Sequence, residues 1–293
     1  MRITGTYTAL VTPFQTDGSI DEGALRASVE AQIVAGIDGL VPCGTTGETP
    51  TLSQEEAERV IRVTVEETRG RVPVMAGTGS YSTKQAIENT QRAKALGCDA
   101  ALVVTPYYNK PGPAMLEAHF KAVAAEGGLP MCLYNVPGRT GCNMLPATVA
   151  ALSRVPNIVA IKEASGNLVQ MQEVLFAIDS ERFTVLSGDD AMSLGLYACG
   201  GHGVVSVASN VLPAETTAIY RAFASGDVAG ATAMNRRLFA LFQTLFIEPN
   251  PVPCKVAQSL LGRMGPTVRM PLGAAQPKTI DAMRAVLTGL GLL

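Results

Sequence analysis

Histidine is nearly missing from this chain. Two occur in 293 residues, His119 and His202, and neither stands in a ligand-spaced cluster. A protein-bound zinc or iron centre draws on grouped His, Cys and carboxylate ligands, so no metal site is expected. The six cysteines (Cys43, Cys98, Cys132, Cys142, Cys199 and Cys254) are scattered and include no CxxC pair. Buried reduced thiols are expected from them, not a disulfide framework. No basic tract accompanies the net charge of −2, which argues against nucleic acid and acidic membrane surfaces as partners. No uninterrupted apolar run is long enough to span a bilayer, and MRITGTYTALVTPF at the N-terminus shows no cleavable signal pattern. A soluble, cytoplasmic protein is the expectation. Low-complexity segments, sequence-level repeats and Ser- or Gly-rich linkers are also missing.

What is present is a chain 47% hydrophobic and 16% charged, enough for a large core in one big domain or two small ones. Strand-like runs stand at Thr6–Val11, Gly39–Pro42, Val72–Ala76, Ala100–Thr105, Met131–Asn135, Ile158–Glu163, Phe183–Ser187 and Gly203–Val207. Helical patterns separate them, in the rhythm of repeated βα units. Ser53 with Glu56, and Ser82 with Gln85, fit capping boxes at two helix starts. Leu25, Val29 and Ile33 fall at helical spacing, as do Val60, Ile61 and Thr64. His119 falls in a helical stretch with Leu116, Phe120 and Val123, where a partly exposed structural role is expected; His202 lies in the glycine turn CGGHG.

Eight near-continuous apolar strands alternating with helices predict an α/β fold, a closed (β/α)8 TIM barrel, which usually takes about 250 residues. A doubly wound open sheet competes, but it would more often carry a Gly-rich dinucleotide turn after its first strand. Here that strand ends in Val11-Thr12-Pro13-Phe14. After Asn210 the strand signals stop, and helices are expected at Pro213–Ser225, Val228–Phe246, Val252–Leu261 and Pro277–Leu287. The first closes the barrel, giving a barrel over residues 1–225 that carries the active site. The others form a C-terminal helical extension, residues 226–293, packed on it.

The chemistry gathers around Asn157–Asn167, NIVAIKEASGN. Ile158 to Ile161 lead into Lys162 with no charge before it, and Ser165-Gly166 ends the run, the pattern of a buried strand. Side chains alternate along a strand, so Ala160, Lys162 and Ala164 share a face. The alanines leave room around the amine and offer it no counter-charge. Stripped of hydration, such an amine is a nucleophile for carbonyl carbons. The alternative is a strand-end lysine that snorkels to water or pairs with Glu163.

Barrel enzymes build their sites at the C-terminal ends of the strands. There the chain places Gly44-Thr45-Thr46-Gly47-Glu48, Thr105-Pro106-Tyr107-Tyr108-Asn109-Lys110-Pro111, Tyr134-Asn135 with the loop through Arg139 to Gly141, and Ser187-Gly188-Asp189-Asp190. The threonine turn is either a plain tight turn or a cradle of N–H and hydroxyl groups for a carboxylate. It is no Walker loop, since no lysine follows its second glycine. Tyr134 is either a core aromatic or, beside an imine-forming lysine, a proton shuttle. Arg139 either caps a loop or presents its fork to a substrate carboxylate. The Tyr107-Tyr108 pair packs a loop or makes a subunit contact. Without metal ligands, an aldol-type step needs a covalent electron sink. Lys162 is the best candidate, because Lys110 and Lys255 sit in Pro-flanked segments and Lys84, Lys94 and Lys121 on polar helix faces.

Five segments together, GTTGE (Gly44–Glu48), VTPYYNKP (Val104–Pro111), LYNVPGRTG (Leu133–Gly141), IVAIKEASGN (Ile158–Asn167) and HGVVSV (His202–Val207), resemble the dihydrodipicolinate synthases. The resemblance covers essentially the whole chain, including EPNPVPCK (Glu248–Lys255) in the extension. It implies a (β/α)8 barrel with three C-terminal helices and condensation of pyruvate with aspartate semialdehyde, with no cofactor beyond a covalent imine. By the same resemblance Lys162 forms that imine and Tyr134 shuttles protons, with Thr45 and Tyr108 as relay partners and Tyr108 arriving from a neighbouring subunit. Thr46 holds the pyruvate carboxylate, Val205 and Gly188 supply backbone contacts near it, and Arg139 receives the carboxylate of the semialdehyde. A homotetramer built as a dimer of dimers is implied as well. Related lyases acting on N-acetylneuraminate or sugar acids share the lysine and tyrosine, but Arg139 and Thr45 fit them less well. A catalytically inactive barrel with a binding role is the reading from another class. Lysine-inhibited members line an interface pocket with His, Asn and Glu, where Gln54, Ala57, Tyr81 and Gln85 stand here, so weak or absent inhibition by lysine is expected.

Overall fold

Strands that are apolar along their whole length need cover on both faces, and a sheet closed on itself provides it. In the computed structural model, which describes residues 1–293, the strands are β1 (Gly5–Ala9), β2 (Gly39–Val41), β3 (Met75–Gly77), β4 (Ala100–Val104), β5 (Met131–Asn135), β6 (Ile158–Glu163), β7 (Thr184–Ser187) and β8 (Gly203–Ser206). They run parallel in the order β2-β1-β8-β7-β6-β5-β4-β3. A parallel bridge between Leu40 and Val74 joins the two ends and closes the barrel. The helices are α1 (Glu22–Val34), α2 (Gln54–Thr68), α3 (Thr83–Ala95), α4 (Pro113–Glu126), α5 (Pro137–Thr140), α6 (Pro146–Leu152), α7 (Leu168–Ala177), α8 (Ser193–Ala198), α9 (Pro213–Ala224), α10 (Val228–Thr244), α11 (Val252–Leu260) and α12 (Pro277–Gly289). None is long and apolar enough to cross a membrane.

Alternation sorts the strand residues into two layers. Tyr7, Val41, Leu102, Cys132, Ala160, Leu186 and Val205 fill the barrel interior. Val103, Leu133, Ile161 and Val185 point outward against Leu25, Val29, Val60 and Phe120 of the helices. Gly39 is glycine because the Tyr7 ring fills the space beside it: a Cβ there would lie 2.1 Å from Tyr7 Cε1. A third cluster joins Val11, Val204 and Val207 of the barrel to Leu238, Phe242, Cys254 and Leu287 of the last helices, so barrel and extension share a core.

Where the structure departs from the sequence expectation, backbone hydrogen bonding gives the reason. Strand β3 starts at Met75, not Val72, because Pro73 has no N–H for the ladder, and Val74 makes only the closing bridge. Strand β1 stops before Val11, whose N–H is taken by Asn210 Oδ1 at 3.2 Å. The capping box at Ser53 and Glu56 is complete. The one expected at Ser82 is only half made: Ser82 accepts from Gln85 N–H, while the Gln85 amide turns to Asn89 Oδ1 at 2.8 Å.

All six cysteines are free, and burial pushes the thiols of Cys43, Cys98, Cys132 and Cys254 up to about 12, which makes them inert. The expectation of a partly exposed His119 is overturned, because α4 turns the ring inward and leaves it 5% exposed. Its Nδ1 bonds Thr83 Oγ1 at 2.9 Å, and its Nε2 has no partner. Burial pushes the imidazole down from 6.5 to about 4. Between those values the unfolded chain takes up a proton that the folded chain refuses. Stability present at pH 7 is therefore lost as the pH falls from 6.5 towards 4, by about 2 kcal/mol at pH 5 from this group. His119→Gln is expected to lessen that acid sensitivity. Urea unfolding at pH 7 and pH 5 checks it, and an equal pH dependence in both proteins would clear His119 of the effect.

Candidate active site

Strands β5 and β6 bring the two central side chains together by register, since Tyr134 is the direct partner of Lys162. Lys162 is 5% exposed and Tyr134 7%, and Lys162 Nζ lies 4.2 Å from the centre of the Tyr134 ring. A cation or a neutral amine is well placed there, held by the aromatic face while keeping its own hydrogens. Lys162 makes no ion pair. Glu163 does not pair with it, because the next residue of a strand faces the other way. The Glu163 carboxylate instead accepts from Asn135 Nδ2 at 2.9 Å and from the Ser165 N–H at 2.6 Å.

Gly188 follows β7 and donates its N–H to Glu163 O at 2.8 Å. A Cβ on it would lie 2.9 Å from Lys162 Cε and 2.6 Å from Ala164 Cβ, so any other residue crowds the Lys162 side chain. Val205 on β8 is fully buried in the interior layer. Thr45 and Thr46 lie in a 3-10 turn, Thr45–Gly47, in the loop that follows β2. Such a turn leaves its first N–H groups without partners of its own, free for an anion. Thr46 is buried, and its Oγ1 accepts from Asn250 Nδ2 at 2.9 Å.

Arg139 is exposed on the short helix α5 and makes no ion pair. Its loop is fixed from below: Thr140 Oγ1 donates to Cys142 O at 2.9 Å, and Asn135 Oδ1 accepts from the Met144 N–H at 2.9 Å. Asn135 therefore ties the end of β5 to both Glu163 and the arginine loop. Tyr108, expected in the proton relay, lies on the surface of the chain. The residue is 91% exposed at a backbone φ of 72°, whereas neighbouring Tyr107 packs edge-on against Tyr81 at 5.3 Å. No hydrogen bond within the chain joins Tyr134 to Thr45 or Tyr108. No group of three or more His, Cys, Asp or Glu is placed to hold a metal.

The sequence profile of the Dihydrodipicolinate synthetase family matches residues 2–290. The chain belongs to that family. A 4-hydroxy-tetrahydrodipicolinate synthase of Sorangium cellulosum is 51% identical over 288 residues, covering 96% of this chain and 95% of the relative. One of Nitratidesulfovibrio vulgaris is 47% identical over 294 residues, covering both chains fully. The solved structure of the 4-hydroxy-tetrahydrodipicolinate synthase from the thermoacidophilic methanotroph Methylacidiphilum fumariolicum SolV aligns with a TM-score of 0.96 at 42% identity, covering 99% of this chain and 96% of that one.

This member of the dihydrodipicolinate synthetase family has a second buried lysine that sequence reasoning passed over. Lys255 is fully buried, and its Nζ lies 2.5 Å from Glu48 Oε1 and 2.8 Å from Thr267 O. Burial lowers the Lys255 pKa, and Glu48 works against that. With its hydrogens committed to a carboxylate and a carbonyl, Lys255 is no competitor to Lys162 as nucleophile. The pair joins residues 207 apart in sequence, too far for spacing to reveal. The available signal was the opposite charges ending GTTGE and EPNPVPCK.

Proposed function

We propose that this chain condenses pyruvate with L-aspartate 4-semialdehyde to give 4-hydroxy-tetrahydrodipicolinate, on the route to diaminopimelate and lysine. The observation that carries the reading is Lys162, buried and without an ion pair, with its Nζ 4.2 Å over the Tyr134 ring at the C-terminal end of the barrel. The Lys162 amine attacks the ketone carbon of pyruvate, and water leaves to form the imine. The imine loses a methyl proton to become an enamine, whose carbon attacks the semialdehyde's aldehyde carbon. The amine of the semialdehyde then adds to the imine carbon and expels Lys162 as the ring closes. Tyr134 carries protons in these steps, with Thr45 and Tyr108 as its link to solvent. Thr46 and the N–H groups of its turn hold the pyruvate carboxylate, beside backbone contacts from Gly188 and Val205. Arg139, exposed and free of an acidic partner, takes the carboxylate of the semialdehyde. The imine on Lys162 is the electron sink, and no metal or other cofactor takes part.

A purified sample is expected to consume pyruvate and aspartate semialdehyde together in an assay coupled to reduction of the ring product. Release of pyruvate from N-acetylneuraminate or a sugar acid, without use of the semialdehyde, would overturn the assignment.

Residues 1–225 act as the catalytic barrel and residues 226–293 as its support, in a cytoplasmic enzyme whose thiols stay reduced. The outward Tyr108 supports completion of each site by a second copy, within a homotetramer. Sedimentation velocity is expected to show that assembly, and an active monomer would count against it. No carboxylate stands among Gln54, Ala57, Tyr81 and Gln85, and the amides of Gln54 and Gln85 bond Glu58 and Asn89 of their own helices. With Gln85 in place of a carboxylate, free lysine loses a charge partner there. Low millimolar lysine is expected to leave the steady-state rate unchanged, and clear inhibition there would reject this.

A further inference from the structure

The turn carrying Thr45 and Thr46 is gripped from the C-terminal extension at two places. Asn250 Nδ2 donates to Thr46 Oγ1 at 2.9 Å. A hydroxyl has one proton and two lone pairs, so this bond occupies a lone pair and leaves the Thr46 proton to donate elsewhere. No group of the chain accepts it. Glu48 closes the turn, bonding its N–H to Thr45 O at 3.1 Å from a left-handed backbone with φ 55°. A non-glycine residue holds that conformation at a cost, when its surroundings dictate it. Here both carboxylate oxygens are engaged. Lys255 Nζ holds Oε1 at 2.5 Å, and the Arg269 backbone N–H holds Oε2 at 2.9 Å. Lys255 is itself held by Thr267 O at 2.8 Å and by the ring of Phe14, 4.1 Å away.

A fully buried ion pair is a poor way to gain stability. Its desolvation often exceeds the attraction recovered, and apolar residues of like volume serve as well or better. What it offers is one hydrogen-bonded geometry in place of many packings. We propose that Lys255, Glu48 and Asn250 are positioning residues for the keto-acid carboxylate: they hold the Thr45–Gly47 turn so that its N–H groups and the Thr46 hydroxyl meet that carboxylate while Lys162 attacks the ketone. The proposal rests on the functional reading above. It makes the extension part of the substrate site.

The test is borohydride trapping across a range of pyruvate concentrations, followed by intact mass and peptide mapping. It compares the wild type with Glu48→Gln/Lys255→Met and with Asn250→Ala. The double variant strands no charge and roughly conserves volume. Both variants are expected to label Lys162 at saturating pyruvate, with half-saturation raised about tenfold or more, since small misplacements of binding groups carry effects of that size. Half-saturation by aspartate semialdehyde in the steady state is expected to stay within about twofold, which general loosening of the fold would not preserve. Half-saturation by pyruvate close to the wild-type value in a folded variant would overturn the proposal, as would an equal rise for both substrates. If thermal melting shows the double variant unfolded, Asn250→Ala, which keeps the ion pair, decides alone by the same readings. A wild type that gives no adduct would remove the functional reading and this proposal together. A wild-type adduct with unshifted variants removes only the proposal.

Discussion

Replacing Lys162 with alanine is expected to abolish the pyruvate adduct trapped by borohydride and to lower kcat/KM by roughly 10^4- to 10^6-fold, the range for loss of a covalent nucleophile. Two lysines are buried in this chain, and only one has an amine free to attack. Lys255 is locked to Glu48 and Thr267, whereas Lys162 meets an aromatic face and small neighbours. Because Lys162 has no carboxylate partner, its removal leaves no buried charge behind, and the variant is expected to fold as the wild type does. Circular dichroism and intact mass after trapping read both parts. An adduct that persists, or that moves to Lys255, would assign the chemistry elsewhere.

Tyr134→Phe is expected to separate imine formation from turnover. The substitution keeps the ring 4.2 Å from Lys162 Nζ and removes only the phenolic hydroxyl. Pyruvate should still label Lys162, because the amine and its setting remain. Turnover should fall by roughly 10^2- to 10^4-fold, the span for losing a positioned acid–base group. The comparison is single-turnover trapping against steady-state kcat in the coupled assay. A kcat within about tenfold of the wild type would take proton transfer away from Tyr134 and give it to water or another group.

The central pair could be read from the sequence because both residues lie in strands whose pattern is local. Ile158–Glu163 and Met131–Asn135 are found over the expected residues, and alternation within each puts Lys162 and Tyr134 on the inner face. Glu163 was the ambiguous residue. Alternation already sends it to the other face, but only the fold supplies the Asn135 amide and Ser165 N–H that satisfy it there. Strand ends were less legible, since they depend on which backbone groups find partners across the sheet. Val11 was lost from its strand to a side chain nearly two hundred residues away.

His119 shows the limit of helical periodicity. Its spacing with Leu116, Phe120 and Val123 puts it in a helix, which is found, yet its burial depends on α3, whose Thr83 holds the ring. Lys255 shows the same limit more sharply, because its helix is expected at Val252–Leu261 and found there, while its full burial depends on distant Glu48 and Thr267.

The sequence by itself determined the alternation of strand and helix, the inward face of each strand and the residue types at the rim, because periods of two and 3.6 and the stops made by glycine and proline act over neighbouring residues. Only the tertiary structure decided that Lys255 and Asn250 hold the threonine turn, that Gly188 makes room for Lys162 and that Tyr108 faces outward. Those outcomes depend on which distant surfaces meet when the barrel closes, and no local pattern carries that information.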